Sequence, residues 1–286
     1  MNKWVLGARP RTLPVSVAPV LVGTACAHAA GEIVWWRAGA ALVTSLAIQI
    51  GTNYVNDFAD GERGTDDNRV GPTRLVASGL ATARQVKVAA LVCGLVAGLA
   101  GLSLALAVGP ELLVVGAASL AAGYFYTGGP KPYGYLGLGE LFVFVFFGLV
   151  ATAGSAYIHL DRLTGLSVAA AVPIGFLATA ILVANNLRDI PTDTVAGKHT
   201  LAVRVGDGRT RSLYVALVAG AFLGAIALTA SRWGALAVLL AVPLAVPLVK
   251  VVRSGAVGRA LIPVLGGTGK LQMVFGLLLA VGLFVG

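Results

Sequence analysis

The sequence predicts an all-α integral membrane protein, a bundle of about nine transmembrane helices joined by polar loops. Three features of the composition indicate this fold class. Apolar residues make up 57% of the 286 residues, Asp, Glu, Lys and Arg together make up only 12%, and 38 residues are glycine. Ordinary soluble domains carry about a quarter charged residues, whereas glycine is frequent in membrane helices, where it lets backbones approach closely. We expect a single membrane-embedded domain over residues 1–286.

Nine apolar runs are long enough to cross the hydrocarbon core of a bilayer, which takes roughly 17 to 25 helical residues. We place these runs at 12–30, 36–56, 86–108, 111–127, 136–157, 165–185, 212–230, 232–252 and 270–286. The connections after the second, sixth and eighth runs are long, polar and rich in glycine. With nine spans these three connections lie on the same side of the membrane, so we expect the chemistry on that side.

The positive charges predict which side this is. Of the 21 Lys and Arg residues, 18 lie in the N-terminal segment, in 57–87, at Lys131, in 186–211 or in 250–270, and only Arg37, Arg162 and Arg232 lie on the opposite side. Lys and Arg are concentrated in cytosolic loops of membrane proteins. We therefore expect a cell-membrane protein with a cytosolic N-terminus, an external C-terminus and a cytosolic site. The net charge of +9 then reflects topology, and we predict neither nucleic acid nor a protein partner.

Acidic residues cluster at the cytosolic ends of the second and sixth runs. Five of the twelve lie between residues 57 and 67, and Asp189 and Asp193 follow the sixth run. Asp57 and Asp60 are three residues apart and Asp189 and Asp193 four apart, so on a continuing helix each pair shares one face. Facing carboxylate pairs repel unless a cation lies between them, and oxygen ligands suit Mg²⁺, which also binds substrate phosphates. The clusters predict a magnesium-bound diphosphate site, with a solvated cytosolic loop as the alternative.

Basic residues are interleaved with these acids and complete the predicted diphosphate site. Carboxylates with Mg²⁺, together with Arg and Lys, can hold a diphosphate and stabilise its departure from an allylic carbon. The lipid tail would lie among the helices, and aromatic rings could hold the allylic cation, with simple packing or an interface belt as the alternative for each ring. The candidate residues are Arg63, Arg69, Arg74, Lys131, Arg188, Lys198 and Arg204 for phosphate, and Tyr124, Tyr126, Tyr133, Tyr135, Phe142, Phe144, Phe146 and Phe147 for the cation.

Two acidic segments resemble a known family. The segment NDFADGERGTD at 56–66 and the segment NNLRDIPTD at 185–193 are similar to the two Asp-rich motifs of the UbiA superfamily of membrane-intrinsic aromatic prenyltransferases. Segments 8–14, 51–57, 126–135, 138–144 and 197–201 resemble the branch of that superfamily that acts on 1,4-dihydroxy-2-naphthoate. The resemblance thus extends over nearly the whole chain. One departure is Gly64, which stands where the superfamily pattern has an Asp, and Asp66 follows two residues later.

The resemblance implies roles for individual residues. It implies that Asn56, Asp60, Asp189 and Asp193 hold Mg²⁺ and diphosphate with help from Asp57 and Asp66, and that Arg63, Lys131, Arg188 and Lys198 bind phosphate oxygens. It implies attack by the acceptor ring on the prenyl cation with loss of CO₂, giving demethylmenaquinone.

Two further polar residues within the membrane need partners there. Asn53 shares a helix face with Gln49 and Asn56 and either points into the substrate cavity or makes interhelical hydrogen bonds. Glu140 is a candidate for orienting the acceptor or a phosphate ligand, and the sequence leaves both open. A different acceptor, such as 4-hydroxybenzoate, homogentisate, haem or a sugar phosphate, and a membrane transporter remain as alternatives.

Overall fold

The computed structural model describes residues 2–65, 71 and 73–286, and these residues form helices and connecting turns without any strand. This confirms the all-α fold class. The first helices are α1 Lys3–Ala8, α2 Pro14–Ala29, α3 Trp35–Glu62, α4 Ala83–Ala107 and α5 Glu111–Phe125. The remaining helices are α6 Gly139–Leu160, α7 Gly165–Val195, α8 Leu201–Val205, α9 Asp207–Leu228, α10 Trp233–Arg253 and α11 Gly258–Val285.

The number of membrane spans differs from the prediction of nine, which is not confirmed. Among the described residues six helices are long and apolar enough to cross a bilayer, namely α4, α6, α7, α9, α10 and α11. A seventh candidate is the segment Lys3–Thr12 with Pro14–Ala29, which bends by 52°. Helix α3 is long enough but carries a polar C-terminal half, and α5 has only 15 residues. The chain is therefore a multi-pass membrane protein with at least six candidate spans.

Helices α3 and α7 continue past their apolar runs. We expected polar loops to begin at residues 57 and 186, but α3 ends at Glu62 and α7 at Val195, so both acidic segments lie largely on helices. The helices end where glycine permits it, because Gly64 and Gly197 have φ values of 69°, a left-handed conformation that is typical just after a helix.

Helix α7 lies at the centre of the main core and packs against α2, α6, α9 and α11. Close backbone approach also lets α2 pack against α6, because a Cβ at Gly23 of α2 would lie only 2.3 Å from the Thr152 carbonyl oxygen of α6. Helices α3 and α4 form a second packed pair, with α5 beside them. The cavity described below lies between these two groups of helices.

Candidate active site

A cavity of about 640 Å³ opens between α3, α5, α6 and α7. Its wall is mostly apolar, and its polar residues are concentrated where the C-terminal ends of α3 and α7 meet. Three of the predicted acids line this end, namely Asp60, Asp189 and Asp193. The fold therefore brings both acidic segments to one mouth, as the sequence analysis predicted.

Asp60 is held by cationic and phenolic groups from three other segments. Its side chain is 3% exposed; the Tyr135 hydroxyl donates to Oδ1 at 2.7 Å, and the Lys198 ammonium lies 3.0 Å from Oδ2. The Arg74 guanidinium lies 4.0 Å from the same oxygen. Burial and the neighbouring carboxylate of Asp60 raise the pKa of Tyr135, so its hydroxyl remains a donor at neutral pH.

Lys198 reaches Asp60 because of the way α7 ends. After Gly197 turns the chain back, the Lys198 backbone N–H donates to the Asp193 carbonyl oxygen at 2.8 Å. This bond satisfies one of the carbonyl groups that a helix C-terminus leaves unpaired. The Lys198 ammonium also lies 4.8 Å from the centre of the Tyr135 ring, within the range of a cation–π interaction.

Asp189 is paired with its neighbour in the chain. Arg188 donates through Nε and Nη2 to the two Asp189 carboxylate oxygens, both at 2.7 Å, and through Nη2 to Asn185 Oδ1 at 2.8 Å. The Arg188 side chain is buried, and its Nη1 makes no hydrogen bond to any described residue. Gly71 lines the cavity directly beside this guanidinium, since a Cβ there would lie 3.3 Å from Arg188 Cζ.

Asp57 does not line the cavity, although it is only three residues from Asp60. Its carboxylate is fully buried and accepts hydrogen bonds from the backbone N–H groups of Leu75 at 2.9 Å and Val76 at 3.0 Å. These bonds attach the segment after α3 to α3 itself and place Arg74 beside Asp60. Asp57 and Asp60 thus both contact the segment at 74–76, as their three-residue spacing predicts, but only Asp60 lines the cavity.

The amides on α3 lie on the cavity side of the helix. Asn56 lines the cavity, and its Oδ1 accepts from the Thr127 hydroxyl at 2.6 Å. Asn53 also lines it, but its Nδ2 donates to the Ala8 carbonyl oxygen at 3.0 Å and its backbone oxygen accepts from Arg9 at 3.3 Å. Both alternatives left open for Asn53 therefore apply, because it faces the cavity and also joins two helical segments.

The predicted phosphate-binding cations divide into two groups. Lys198 lines the mouth of the cavity and Arg188 lies directly behind it. Arg63 does not line the cavity and instead donates to the carbonyl oxygens of Thr127 and Gly129, which holds the loop that carries Tyr135. Lys131 is exposed and does not line the cavity. Arg204 does not line the cavity either and donates to the His199 carbonyl oxygen at 3.0 Å. Asp66 and Arg69 lie outside the described residues.

Arg74, one of the predicted phosphate-binding candidates, lines the cavity, and so does Arg9, which the sequence analysis did not assign to the site. Arg9 was counted there only as one of the N-terminal positive charges. The αL backbone of Arg9, with φ of 53°, is an uncommon conformation for a residue other than glycine. A sequence pattern carries no direct signal for such a conformation, although Arg9 lies in a segment that carried the family resemblance.

Tyr126 and Glu140 lie next to each other at one side of the cavity. Tyr126 lines it, and a Cβ at Gly139 would be 3.2 Å from the Tyr126 ring. Glu140 is buried behind the wall, where Oε1 accepts from Asn186 Nδ2 at 2.9 Å and Oε2 has no hydrogen-bond partner among the described residues.

The aromatic residues of α6 extend this wall. A π-helical segment, Phe144–Val150, interrupts α6, and such segments are frequent at functional sites. Phe142, Phe146 and Phe147 line the cavity, whereas Phe144 packs against the Phe176 ring at 5.4 Å.

The oxygen donors at the mouth suit a hard divalent cation such as Mg²⁺, because they are carboxylates and amides without a nearby thiol or imidazole cluster. Among the described residues no three Asp, Glu, His or Cys side chains are close enough to hold a metal ion by themselves. This donor set fits an ion that takes only one or two protein carboxylates and completes its shell with phosphate oxygens and water.

Comparison with known proteins gives consistent matches over nearly the whole chain. Residues 16–260 match the model of the UbiA prenyltransferase family. A 1,4-dihydroxy-2-naphthoate octaprenyltransferase of Mycobacterium tuberculosis is 52% identical over 99% of this chain and 97% of its own length. The protein of that name from Escherichia coli is 37% identical over 99% and 95%.

Solved structures share the fold. A UbiA homologue from Archaeoglobus fulgidus bound to DMAPP and Mg²⁺ superposes with a TM-score of 0.69 at 14% identity, covering 98% of this chain and 100% of that one. The apo structure of a UbiA homologue from Aeropyrum pernix gives 0.71 at 15% identity, covering 95% and 97%.

Proposed function

Because the chain belongs to the UbiA prenyltransferase family, we propose that it transfers a polyprenyl group from a polyprenyl diphosphate to 1,4-dihydroxy-2-naphthoate in menaquinone biosynthesis. The observation that carries this proposal is the mouth of the cavity, where two acidic helix ends meet Lys198, Arg74 and Arg188 above a mostly apolar interior. Such a mouth suits a diphosphate head, and such an interior suits a lipid tail. The names of the relatives that align over their full length support the choice of acceptor.

Asp60, Asp189, Asp193 and Asn56 would hold Mg²⁺ and the diphosphate, with any one ion taking one or two of these carboxylates and completing its shell with diphosphate oxygens and water. The ion would supply positive charge next to the leaving group and so stabilise it as the C–O bond breaks. Asp66, outside the described residues, remains a candidate helper at this site.

Lys198, Arg188 and Arg74 would exchange their carboxylate partners for phosphate oxygens when the substrate binds. Each guanidinium or ammonium group already lies at the mouth in a buried position, so little side-chain freedom is lost on binding. Arg63 and Lys131, which do not line the cavity, would act by holding the loop at 126–138 and by attracting the anionic substrate, respectively. Asp57 would act as a positioning residue through the segment that carries Arg74.

The transfer itself needs one bond broken and one formed. The allylic C–O bond of the prenyl diphosphate breaks, and its electron pair leaves with the diphosphate. The acceptor ring carbon that bears the carboxylate then forms a bond to the allylic carbon. The acceptor carboxylate leaves as CO₂, and its electron pair restores the aromatic ring, giving the reduced form of demethylmenaquinone.

The aromatic wall and the buried acid would serve the acceptor half of the reaction. The faces of Tyr126, Phe142 and Phe146 would stabilise the allylic cation, since aromatic faces attract positive charge. The Glu140–Asn186 pair lies directly behind Tyr126 and would orient the hydroxyl groups of the acceptor through that residue.

The distribution of charge supports a plasma-membrane orientation with this site in the cytosol. The mouth of the cavity lies at the end of the bundle that carries most Lys and Arg residues, as cytosolic faces do. At the other end, Arg37 donates to the Ile158 carbonyl oxygen at 2.7 Å and Arg232 to that of Ala29 at 2.7 Å. The whole chain, residues 1–286, would form a single catalytic domain.

The decisive experiment is a prenyl-transfer assay with purified protein in detergent. It supplies a polyprenyl diphosphate, 1,4-dihydroxy-2-naphthoate and Mg²⁺, and compares wild type with Asp60→Asn, Asp189→Asn and the control Glu62→Gln. Glu62 is a matched carboxylate because it lies on the same helix end but is exposed and does not line the cavity.

We expect prenylated product from wild type and from Glu62→Gln, loss of at least about a hundredfold in either Asp variant, and no product with EDTA. Product only with another aromatic acceptor would refute the choice of acceptor. No product with any acceptor from folded protein, together with solute flux in proteoliposomes, would favour a transporter instead.

A further inference from the structure

The cavity extends far beyond the part that a diphosphate and an aromatic ring would occupy. On α6 its lining runs from Phe142 to Ile158, a distance of about 24 Å along the helix axis. This is most of the roughly 30 Å thickness of the hydrocarbon core. On the opposite wall, α5 contributes residues from Gly123 to Leu112, which lies next to the N-terminal end of that helix. The apolar part of the cavity thus leads away from the acids towards the other side of the membrane.

The two helices that line this distal part leave a seam between them. Helix α5 packs chiefly against α3 and α4, and α6 packs chiefly against α2 and α7. Near the distal end, the Tyr157 hydroxyl of α6 donates to Glu111 Oε1 of α5 at 2.6 Å. Below this hydrogen bond the facing surfaces of α5 and α6 both line the cavity.

Two glycines face this distal space, Gly116 on α5 and Gly154 on α6. Both line the cavity, and a Cβ built on either would meet no atom within 4 Å. The situation at Gly23 is different, because its missing side chain permits helix packing. At Gly116 and Gly154 the missing side chain instead leaves open volume inside the cavity, so a larger residue would fill the cavity without pushing the helices apart.

We infer that Gly116 and Gly154 determine how long a prenyl chain the site accepts. This inference rests on the proposed function, because the diphosphate at the acids fixes the first prenyl units near Phe142 and Phe146. Later units of a long chain must then pass between the two glycines, whereas a chain of two units ends before reaching them. A leucine side chain at either position would block long chains and leave short ones unaffected.

The test compares a two-unit with an eight-unit prenyl diphosphate in the transfer assay, using Gly116→Leu, Gly154→Leu and the control Gly98→Leu. Gly98 is a matched control because it lies within α4, is exposed, has open space around it and does not line the cavity. We expect the ratio of kcat/KM for the long chain to that for the short chain to fall by about tenfold or more in both cavity variants. The control should keep the wild-type ratio.

An unchanged ratio in both cavity variants, with short-chain activity retained, would overturn the inference. If a leucine variant does not fold, Gly116→Val and Gly154→Val place a smaller branched side chain at the same positions, and an unchanged ratio in both would overturn the inference. Wild-type protein that transfers neither chain would instead refute the proposed function. The two failures are therefore distinguishable.

Discussion

Replacing Asp57 tests whether this carboxylate acts at the substrate or by holding the neighbouring segment in place. Both of its oxygens accept backbone N–H groups, from the fully buried Leu75 and the half-buried Val76. Asp57→Ala leaves these donors without that acceptor, and a buried donor left unsatisfied costs about 1–3 kcal/mol. Because Val76 is partly exposed, we expect a total loss of about 2–4 kcal/mol in the free energy of unfolding.

The matched variant Asp57→Asn should lose about half as much, because its amide keeps one acceptor oxygen. At about 2–4 °C per kcal/mol for a large domain, the unfolding midpoint of Asp57→Ala should fall by roughly 4–16 °C. Thermal unfolding in detergent measures this shift, with Glu62→Gln as the exposed carboxylate control. Prenyl transfer should fall as well, because the same segment carries Arg74, which lies 4.0 Å from Asp60.

A different result would refute this reasoning. If Asp57→Asn and Asp57→Ala unfold at the wild-type temperature yet lose activity as fully as Asp60→Asn, the carboxylate acts on the substrate itself. The hydrogen bonds to Leu75 and Val76 would then be incidental. Limited proteolysis gives a second reading, because our account expects faster cleavage after Arg74 in both Asp57 variants than in wild type.

Three further predictions follow from contacts at the mouth and in the core. Lys198→Met should raise the affinity for Mg²⁺ in the absence of diphosphate, measured by calorimetry, because it removes the ammonium that lies 3.0 Å from Asp60; prenyl transfer should nevertheless fall. Tyr135→Phe should lower activity by about tenfold through loss of one hydrogen bond of about 1.5 kcal/mol to a charged group. Burial and the neighbouring Asp60 raise the pKa of Tyr135, so the protonated phenol stabilises the wild type below a pH of about 10 and less so above it. A plot of the free energy of unfolding against alkaline pH should therefore be flatter for Tyr135→Phe than for wild type. Gly282→Ala should lower the unfolding temperature by several degrees, since its Cβ would lie 2.0 Å from a carbonyl oxygen of α10, whereas Gly94→Ala, which has open space, should not.

The fold class could be predicted because it depends on composition. The meeting of the two acidic segments could be predicted because both follow apolar runs that end on the same side of the membrane. The direction of individual side chains could not. Asn53, Asn56 and Asp60 are spaced by three and four residues and all line the cavity, so helical periodicity identifies this face correctly. Asp57 lies four residues after Asn53 and three before Asp60, so the same periodicity does not separate it from them, and only the neighbouring segment at 73–76, which folds back onto α3, decides what it contacts.

The ends of α3 and α7 were also beyond the sequence pattern. Apolar runs mark where a helix leaves the hydrocarbon core, but a helix stops where its backbone is capped. Gly64 and Gly197, whose backbones are left-handed, lie several residues beyond the ends of the apolar runs at 36–56 and 165–185. For the same reason the count of nine spans could not be fixed from hydropathy, because the polar half of α3 and the 15 residues of α5 lie between clear spans and clear loops.

The pairing of charges at the mouth explains how a site built for a highly charged ligand remains folded without it. Buried carboxylates lose much of their hydration, and one left without a partner would cost several kcal/mol. Lys198 compensates Asp60 and Arg188 compensates Asp189, so each of these two acids has a cation of its own within 3.0 Å. Because a diphosphate with Mg²⁺ carries both signs of charge, it can take over both kinds of partner at once. A metal ion alone would have to compete with Lys198 and Arg188, so the geometry favours binding of the ion together with the diphosphate over binding of the ion by itself.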